Sequence, residues 1–149
     1  MQKIIMITLM SLFLFSCGSI MQQQNIGKIM KTHVIEASST DVYQAAEEEF
    51  KGMYVPLISS GKNKGATAWL TKHTKLGEKK YMEKDRFVVE VTDSGKGKSK
   101  VVVTRELQSN FSGSWSTKPS ARMYIYEFNI QKRLNPSIAQ KIEAQAAKM

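Results

Sequence analysis

Alternation of apolar and polar residues in the second half of the chain is the feature that most restricts how it can fold. Phe87, Val89 and Val91 fall on one face of a β-rich segment, and Val101 and Val103 share a face of the next, because side chains alternate along a strand. Segments with one apolar and one largely polar face are typical of an antiparallel sheet that packs on one side. The β-rich segments cover residues 66–72, 80–92, 98–107 and 122–131.

Glycine-containing sequences indicate how these segments are joined. Asp93 and Gly97 bracket the sequence Ser-Gly-Lys between the second and third segments, which predicts a β-hairpin. Residues 59–65 are basic and glycine-rich, and we predict a loop there. Residues 109–115 lack a tight-turn sequence and are predicted to open a longer connection.

Two helices complete the predicted fold. Ser38 and Asp41 belong to a cluster of N-cap residues, the following apolar residues recur at helical spacing, and Gly52 is a suitable C-terminal stop. Asn135 and Pro136 provide the N-cap and first-turn proline of a second helix. With a short strand over residues 32–37, the prediction is an α+β fold of order β-α-β-β-β-β-α. Its antiparallel sheet would have four or five strands packed against one or two helices.

Cys17 is the only cysteine of the 149 residues, so the chain cannot form an intramolecular disulfide. It follows one positive charge, Lys3, and the uncharged segment 4–15, an order typical of the n-region and h-region of a secretory signal. As a helix this segment would span about 18 Å, whereas the hydrocarbon layer of a bilayer is about 30 Å thick. We therefore predict a signal peptide.

The residues around Cys17 make this prediction more specific. Leu14 lies three positions before the cysteine and Ser16 directly before it, an arrangement that resembles the lipobox of bacterial lipoprotein precursors. The resemblance implies a diacylglyceryl group on the Cys17 sulfur, cleavage just before Cys17 and acylation of the new amino terminus, with acyl chains such as palmitate. Two or three acyl chains anchor a protein stably where one is marginal. Gly18 stands where aspartate would favour the inner membrane, which implies the outer membrane in a Gram-negative cell.

This resemblance divides the chain into three parts. Residues 1–16 are the signal peptide, residues 17–30 are the lipidated cysteine and a tether, and residues 31–149 form a single α+β domain. Loss of residues 1–16 removes Lys3 and changes the net charge from +9 to +8. A start at Met30, which would give a cytosolic domain, is the alternative to export.

Residues that could support catalysis or metal binding do not form a known pattern. His33 and His73 are 40 positions apart, without the His/Cys grouping of a zinc site. Glu47, Glu48 and Glu49 occupy successive helix positions, which point about 100° apart, and are predicted to form a solvated face. The sequence therefore predicts no enzyme, no metal site and no cofactor.

Lysines are the main charged feature of the predicted loops. They could attract an anionic envelope component, although scattered lysines that only maintain solubility fit the pattern as well. Export makes nucleic acid an improbable partner. The candidate anion contacts are Lys62, Lys64, Lys79, Lys80, Lys96 and Lys98.

Aromatic residues are the remaining candidates for contact with a partner. Trp115, in a Ser/Gly-rich segment, is predicted to be exposed, whereas the stripe Tyr124, Tyr126 and Phe128 either packs in the core or lines a groove. These features predict a non-catalytic envelope lipoprotein that binds an envelope protein or an anionic envelope component. The alternative is an envelope enzyme or enzyme inhibitor that uses the Trp115 and lysine-rich loops.

Overall fold

A seven-stranded antiparallel sheet and four helices make up residues 19–149, the part of the chain that the computed structural model describes. The predicted α+β class with an antiparallel sheet is confirmed. The predicted signal peptide and Cys17 lie outside the described residues. In chain order the elements are α1 (19–30), α2 (Ser39–Gly52), β1 (Leu57–Gly61), β2 (Lys64–Thr67), β3 (Leu70–Leu76), β4 (Lys79–Gly95), β5 (Lys98–Asn110), β6 (Trp115–Thr117), β7 (Ala121–Arg122), α3 (Tyr124–Leu134) and α4 (Pro136–Ala146).

The long strands β4 and β5 form the centre of the sheet. They pair from Met82↔Asn110 to Gly95↔Lys98, and the turn between them is the hairpin predicted from the sequence. The strand order is β1-β2-β4-β5-β6. β3 pairs with the first half of β4, and β7 pairs with the middle of β5. The sheet therefore extends well beyond the part that the helices cover.

The main hydrophobic core lies between this sheet and helices α2 and α3. Phe50 of α2 and Val89 of β4 are fully buried, and Phe50 packs against the rings of Phe87 and Tyr126 at centroid distances of 5.5 and 5.6 Å. Ser38 caps α2 by accepting a hydrogen bond from the amide of Asp41 at 3.2 Å. The predicted first helix and the predicted buried face of β4 are thus confirmed.

A second hydrophobic cluster joins α1, α3 and α4. Ile26 and Met30 of α1 pack with Phe128 of α3 and Ile142 of α4, all of them buried. The side-chain amide of Asn25 also donates to the carbonyl of Ala146 at 3.0 Å. Residues 19–30 are therefore a packed helix, and the prediction that this stretch is a tether was wrong.

The segment 122–131 is the largest correction to the predicted fold, because most of it forms helix α3 instead of a strand. Its buried residues are Glu127, Phe128, Ile130 and Gln131, which follow helical spacing. Phe128 faces the second cluster and Ile130 faces the main core. As a helix, the segment contacts both of these apolar surfaces. A strand would place Phe128 and Ile130 on the same side, and only one of the two surfaces could be contacted.

Three shorter segments also differ from the predictions. Residues 32–37 contain only an isolated bridge between Ile35 and Ser99 instead of a strand. Residues 59–65 contribute to the β1–β2 hairpin instead of a loop, and residues 109–115 join β5 and β6 through a short hairpin instead of a long connection. These hairpins add β1 and β6 to the predicted strands. The predicted segment 66–72 is also divided between β2 and β3, and β7 is a further two-residue strand.

Gly65 of β2 provides a test of the packing between α2 and the sheet. An alanine Cβ at this position would overlap the hydroxyl of Tyr43 and approach the carbonyl oxygen of Ile58 to 3.0 Å. We expect Gly65→Ala to lower the free energy of unfolding by about 1–3 kcal/mol, as overpacking usually does. Urea denaturation of the purified protein measures this effect.

Gly61→Ala is the matched control, because nothing lies within 4 Å of its Cβ position. Tyr43→Phe removes the clashing oxygen and should restore part of the stability of Gly65→Ala. Equal unfolding midpoints for Gly61→Ala and Gly65→Ala would contradict this description of the contact.

Candidate functional site

The sheet has one face that the described helices do not cover. On β4 and β5 the side chains of Val89 and Val103 point toward α2 and α3 and are fully buried. Their neighbours Val88 and Val102 point the other way and are only partly buried. We call this second surface the open face. Its central residues are Lys84, Arg86, Val88, Val102, Glu106 and Gln108, with Trp69 and Trp115 at its margins.

Two tryptophans and two cations form a connected row on the open face. The Lys84 ammonium lies 4.9 Å from the ring centre of Trp69 and 4.4 Å from that of Trp115. The Arg86 guanidinium carbon lies 4.6 Å from the Trp69 ring centre. Each such contact contributes about 0.5–1 kcal/mol at an exposed position. The row therefore has a defined geometry before any partner binds.

Cross-strand pairing holds the cations of this row in place. Arg86 lies opposite Glu106 in the β4–β5 register, and its Nε donates to Glu106 Oε2 at 2.7 Å. Lys84 lies opposite Gln108, which in turn lies opposite Thr117 of β6. Because β6 is paired in this register, Trp115 is held beside Lys84.

Trp115 was predicted to be an exposed contact residue in a loop. The structure places it in strand β6 with 39% of its surface exposed. Further exposed aromatic surface lies nearby in the β5–β6 turn, where Phe111 is 55% exposed and stacks on Tyr81 at 4.3 Å. Aromatic residues and arginine are enriched in the cores of protein interfaces.

The six candidate anion-contact lysines do not form one patch. Lys62, Lys64, Lys96 and Lys98 lie around the β1–β2 and β4–β5 turns, and two of them have acidic partners: Lys64 with Glu90 at 3.5 Å and Lys98 with Glu36 at 3.4 Å. Lys79 and Lys80 lie at the opposite end of β4, about 50 Å from Lys96 along a straight strand.

The histidines have separate structural environments. His33 Nε2 lies 2.8 Å from Oε1 of the buried Gln131, whereas His73 is exposed on β3. Within residues 19–149 no group of three or more His, Cys, Asp or Glu side chains is placed to hold a metal ion.

Two buried carboxylates were not predicted from the sequence. Glu49, predicted to be solvated, is buried against α3, where it accepts from Arg133 and from Asn129 at 3.0 Å. Glu127 is fully buried; its carboxylate accepts from Arg122 at 2.8 and 3.0 Å and from the Val103 amide at 3.0 Å. Both carboxylates attach α3 to its neighbours.

The Glu127 carboxylate also affects its partner. Its hydrogen bonds with Arg122 raise the pKa of that guanidinium above the ordinary value, so Arg122 stays charged. Neither buried carboxylate could be identified from the sequence, because Glu127 lies on α3 and Glu49 packs against it, and the segment that forms α3 was predicted to be a strand.

The row of Trp69, Lys84 and Arg86 was also missed in the sequence. Lys84 and Arg86 are two positions apart and fall on the strand face opposite to that of Phe87, which identifies them as residues of the polar face. Their contacts with Trp69 depend on how β3 folds back on β4, and no local signal indicates that.

No helix of residues 19–149 combines the length and the apolar character needed to cross a bilayer. Comparison of the chain with protein-family models, curated proteins and solved structures found no match.

Proposed function

We propose that this chain is a non-catalytic lipoprotein of the bacterial cell envelope that binds another envelope protein through its open face. The lipobox-like residues Leu14, Ser16 and Cys17 support the anchoring part of the proposal. Acyl chains on Cys17 would hold the protein in a membrane, and Gly18 favours the outer membrane where the cell has two.

The row formed by Trp69, Lys84, Arg86 and Trp115 is the observation that carries the binding part. These side chains are partly exposed, mutually ordered and located on a sheet face that the described helices leave uncovered. Ordered tryptophan and arginine side chains are typical hot spots because they bury a large area at a small cost in entropy.

A protein partner fits the described residues better than an extended anionic polymer. The lysines proposed as anion contacts are divided between opposite ends of the sheet, whereas the four side chains of the row contact one another. Within residues 19–149 Lys84 contacts two tryptophan rings and forms no salt bridge, which favours a partner with an acidic residue at the centre of its interface.

Photo-crosslinking in intact cells tests this proposal. A photoreactive residue at Thr117, on the open face, should give one discrete crosslinked species, and the same residue at Gln140, exposed on α4, should not. Identical products from both positions, or no product from Thr117, would contradict the proposal.

Truncation of Trp115 tests whether the row contributes the binding energy. We expect Trp115→Ala to weaken partner binding about 30-fold, equivalent to about 2 kcal/mol for a hot-spot residue. Titration of the purified proteins measures this change. Tyr54→Ala is the control, because Tyr54 is 93% exposed and lies just after α2, away from the row. Equal affinities for the two variants would contradict the assigned role of the row.

A further inference from the structure

A second candidate site lies on the helical side of the molecule, away from the open face. Helix α1 and residues 122–125, which run from the end of β7 into the first turn of α3, line an open groove of about 430 Å³. We call it the α1 groove. Gly27 allows α1 to approach α3 closely there, since an added Cβ would lie 3.3 Å from the Tyr124 ring.

The walls of the α1 groove are mainly apolar. Ile20 of α1 and Ile125 of α3 line it, and they are 54% and 37% exposed. Met21, next to Ile20, is 62% exposed. Large apolar side chains grouped around a concave surface indicate a site for an apolar ligand or surface.

The charged residues of the α1 groove are all basic. Lys28, Lys31 and Arg122 line it, and none of its described lining residues is acidic. Arg122 is engaged by Glu127, and Lys28 donates to Asn25 Oδ1 at 3.1 Å. Lys31 is exposed. An occupant with an acyl chain and an anionic headgroup would match both the walls and the charges.

The position of the groove along the chain points to a source for such an occupant. Ile20 is three residues from Cys17, so their Cα atoms are at most about 11 Å apart. If Cys17 is anchored as proposed above, the mouth of the groove is held beside the bilayer. This position beside the bilayer rests on the proposed anchoring of Cys17, whereas the apolar walls and basic residues of the groove do not depend on it.

We propose that the α1 groove binds an anionic phospholipid of the membrane at which the chain is anchored. The acyl chain lies along Ile20 and Ile125, and the phosphate lies near Lys28 and Lys31. Each basic residue near an anionic lipid surface contributes about 1 kcal/mol, so the two lysines set a preference of about 30-fold for anionic over zwitterionic lipid.

Quenching by brominated lipid tests this proposal. The full chain carrying Ile125→Trp is placed in phosphatidylcholine vesicles, and either brominated phosphatidylglycerol or brominated phosphatidylcholine replaces part of the lipid. We expect the fluorescence of the added tryptophan to be quenched. The same degree of quenching should require a lower fraction of brominated phosphatidylglycerol than of brominated phosphatidylcholine. The control is Ile58→Trp, 62% exposed on β1 at the other side of the sheet, which should not be quenched.

Charge variants test the role of the two lysines. Lys28→Gln with Lys31→Gln should remove the preference for phosphatidylglycerol, whereas Lys62→Gln with Lys96→Gln, which has the same net charge, should retain it. Quenching of Ile125→Trp no greater than that of Ile58→Trp, or equal quenching by both lipids, would overturn the proposal.

The same measurement on a Cys17→Ala chain separates this inference from the proposed anchoring. The apolar segment 4–15 keeps that chain on the vesicle without acylation. Quenching that persists in Cys17→Ala therefore supports the groove whether or not Cys17 is acylated in cells. Quenching that is absent in both chains overturns the groove proposal and leaves the acylation of Cys17 unaffected.

Discussion

Replacement of Glu127 by alanine is expected to lower the free energy of unfolding by about 3 kcal/mol. Glu127 is fully buried and forms two hydrogen bonds with Arg122 and one with the Val103 amide. Its removal leaves a buried amide without an acceptor and a partly buried guanidinium without its counter-charge. A total stability of about 5–15 kcal/mol is usual for a domain, so the loss is a large fraction of it.

Chemical denaturation followed by circular dichroism measures this effect, and two further variants identify its cause. Glu48→Ala is the matched control, because Glu48 is exposed on α2 and should change stability by no more than about 0.5 kcal/mol. Glu127→Gln retains a side-chain acceptor for the Val103 amide, so it should lower the free energy of unfolding less than Glu127→Ala does. Similar unfolding midpoints for Glu48→Ala and Glu127→Ala would contradict the role assigned to Glu127.

The elements that could be predicted from the sequence are those specified by local interactions. The N-cap of α4 is an example: Asn135 accepts a hydrogen bond from the Ile138 amide at 3.2 Å, and Pro136 follows it in the first turn. The β4–β5 hairpin is another, since Gly95 and Gly97 both adopt positive φ at the turn, a conformation that glycine adopts without steric cost.

The elements that could not be predicted depend on contacts between distant parts of the chain. The apolar residues of α3 fit a period of two as well as a helical period, and only the two surfaces that contact Phe128 and Ile130 decide between them. The apolar residues of helix α1 are interrupted by the polar run 22–25, and its fold depends on Ile26, Met30 and the Asn25 hydrogen bond to the end of α4. Sequence periodicity alone does not report such contacts.

The candidate site shows the same division. Trp115 could be named from the sequence as a contact residue because it lies among small polar residues. Its neighbours Lys84 and Trp69 could not be grouped with it, since they meet only through the pairing of β3, β4 and β6. The α1 groove likewise requires the packing of α1 beside the start of α3.

Replacement of Cys17 by alanine has the largest expected effect on where the protein is found. Cys17 is the only cysteine, so its sulfur is the only thiol that can receive a diacylglyceryl group. We expect the Cys17→Ala chain to carry no acyl group and to retain the uncleaved segment 1–16. Mass spectrometry of the purified protein checks this, because the mature wild-type protein should lack residues 1–16 and carry added acyl mass.

Metabolic labelling with a fatty-acid analogue shows whether this chain is anchored through lipid on Cys17. Cells that produce the wild-type chain or Cys17→Ala are labelled in parallel, and the protein is isolated and compared at equal amounts. We expect label on the wild-type protein and none on Cys17→Ala. Equal labelling of both proteins, or no label on either, would contradict it.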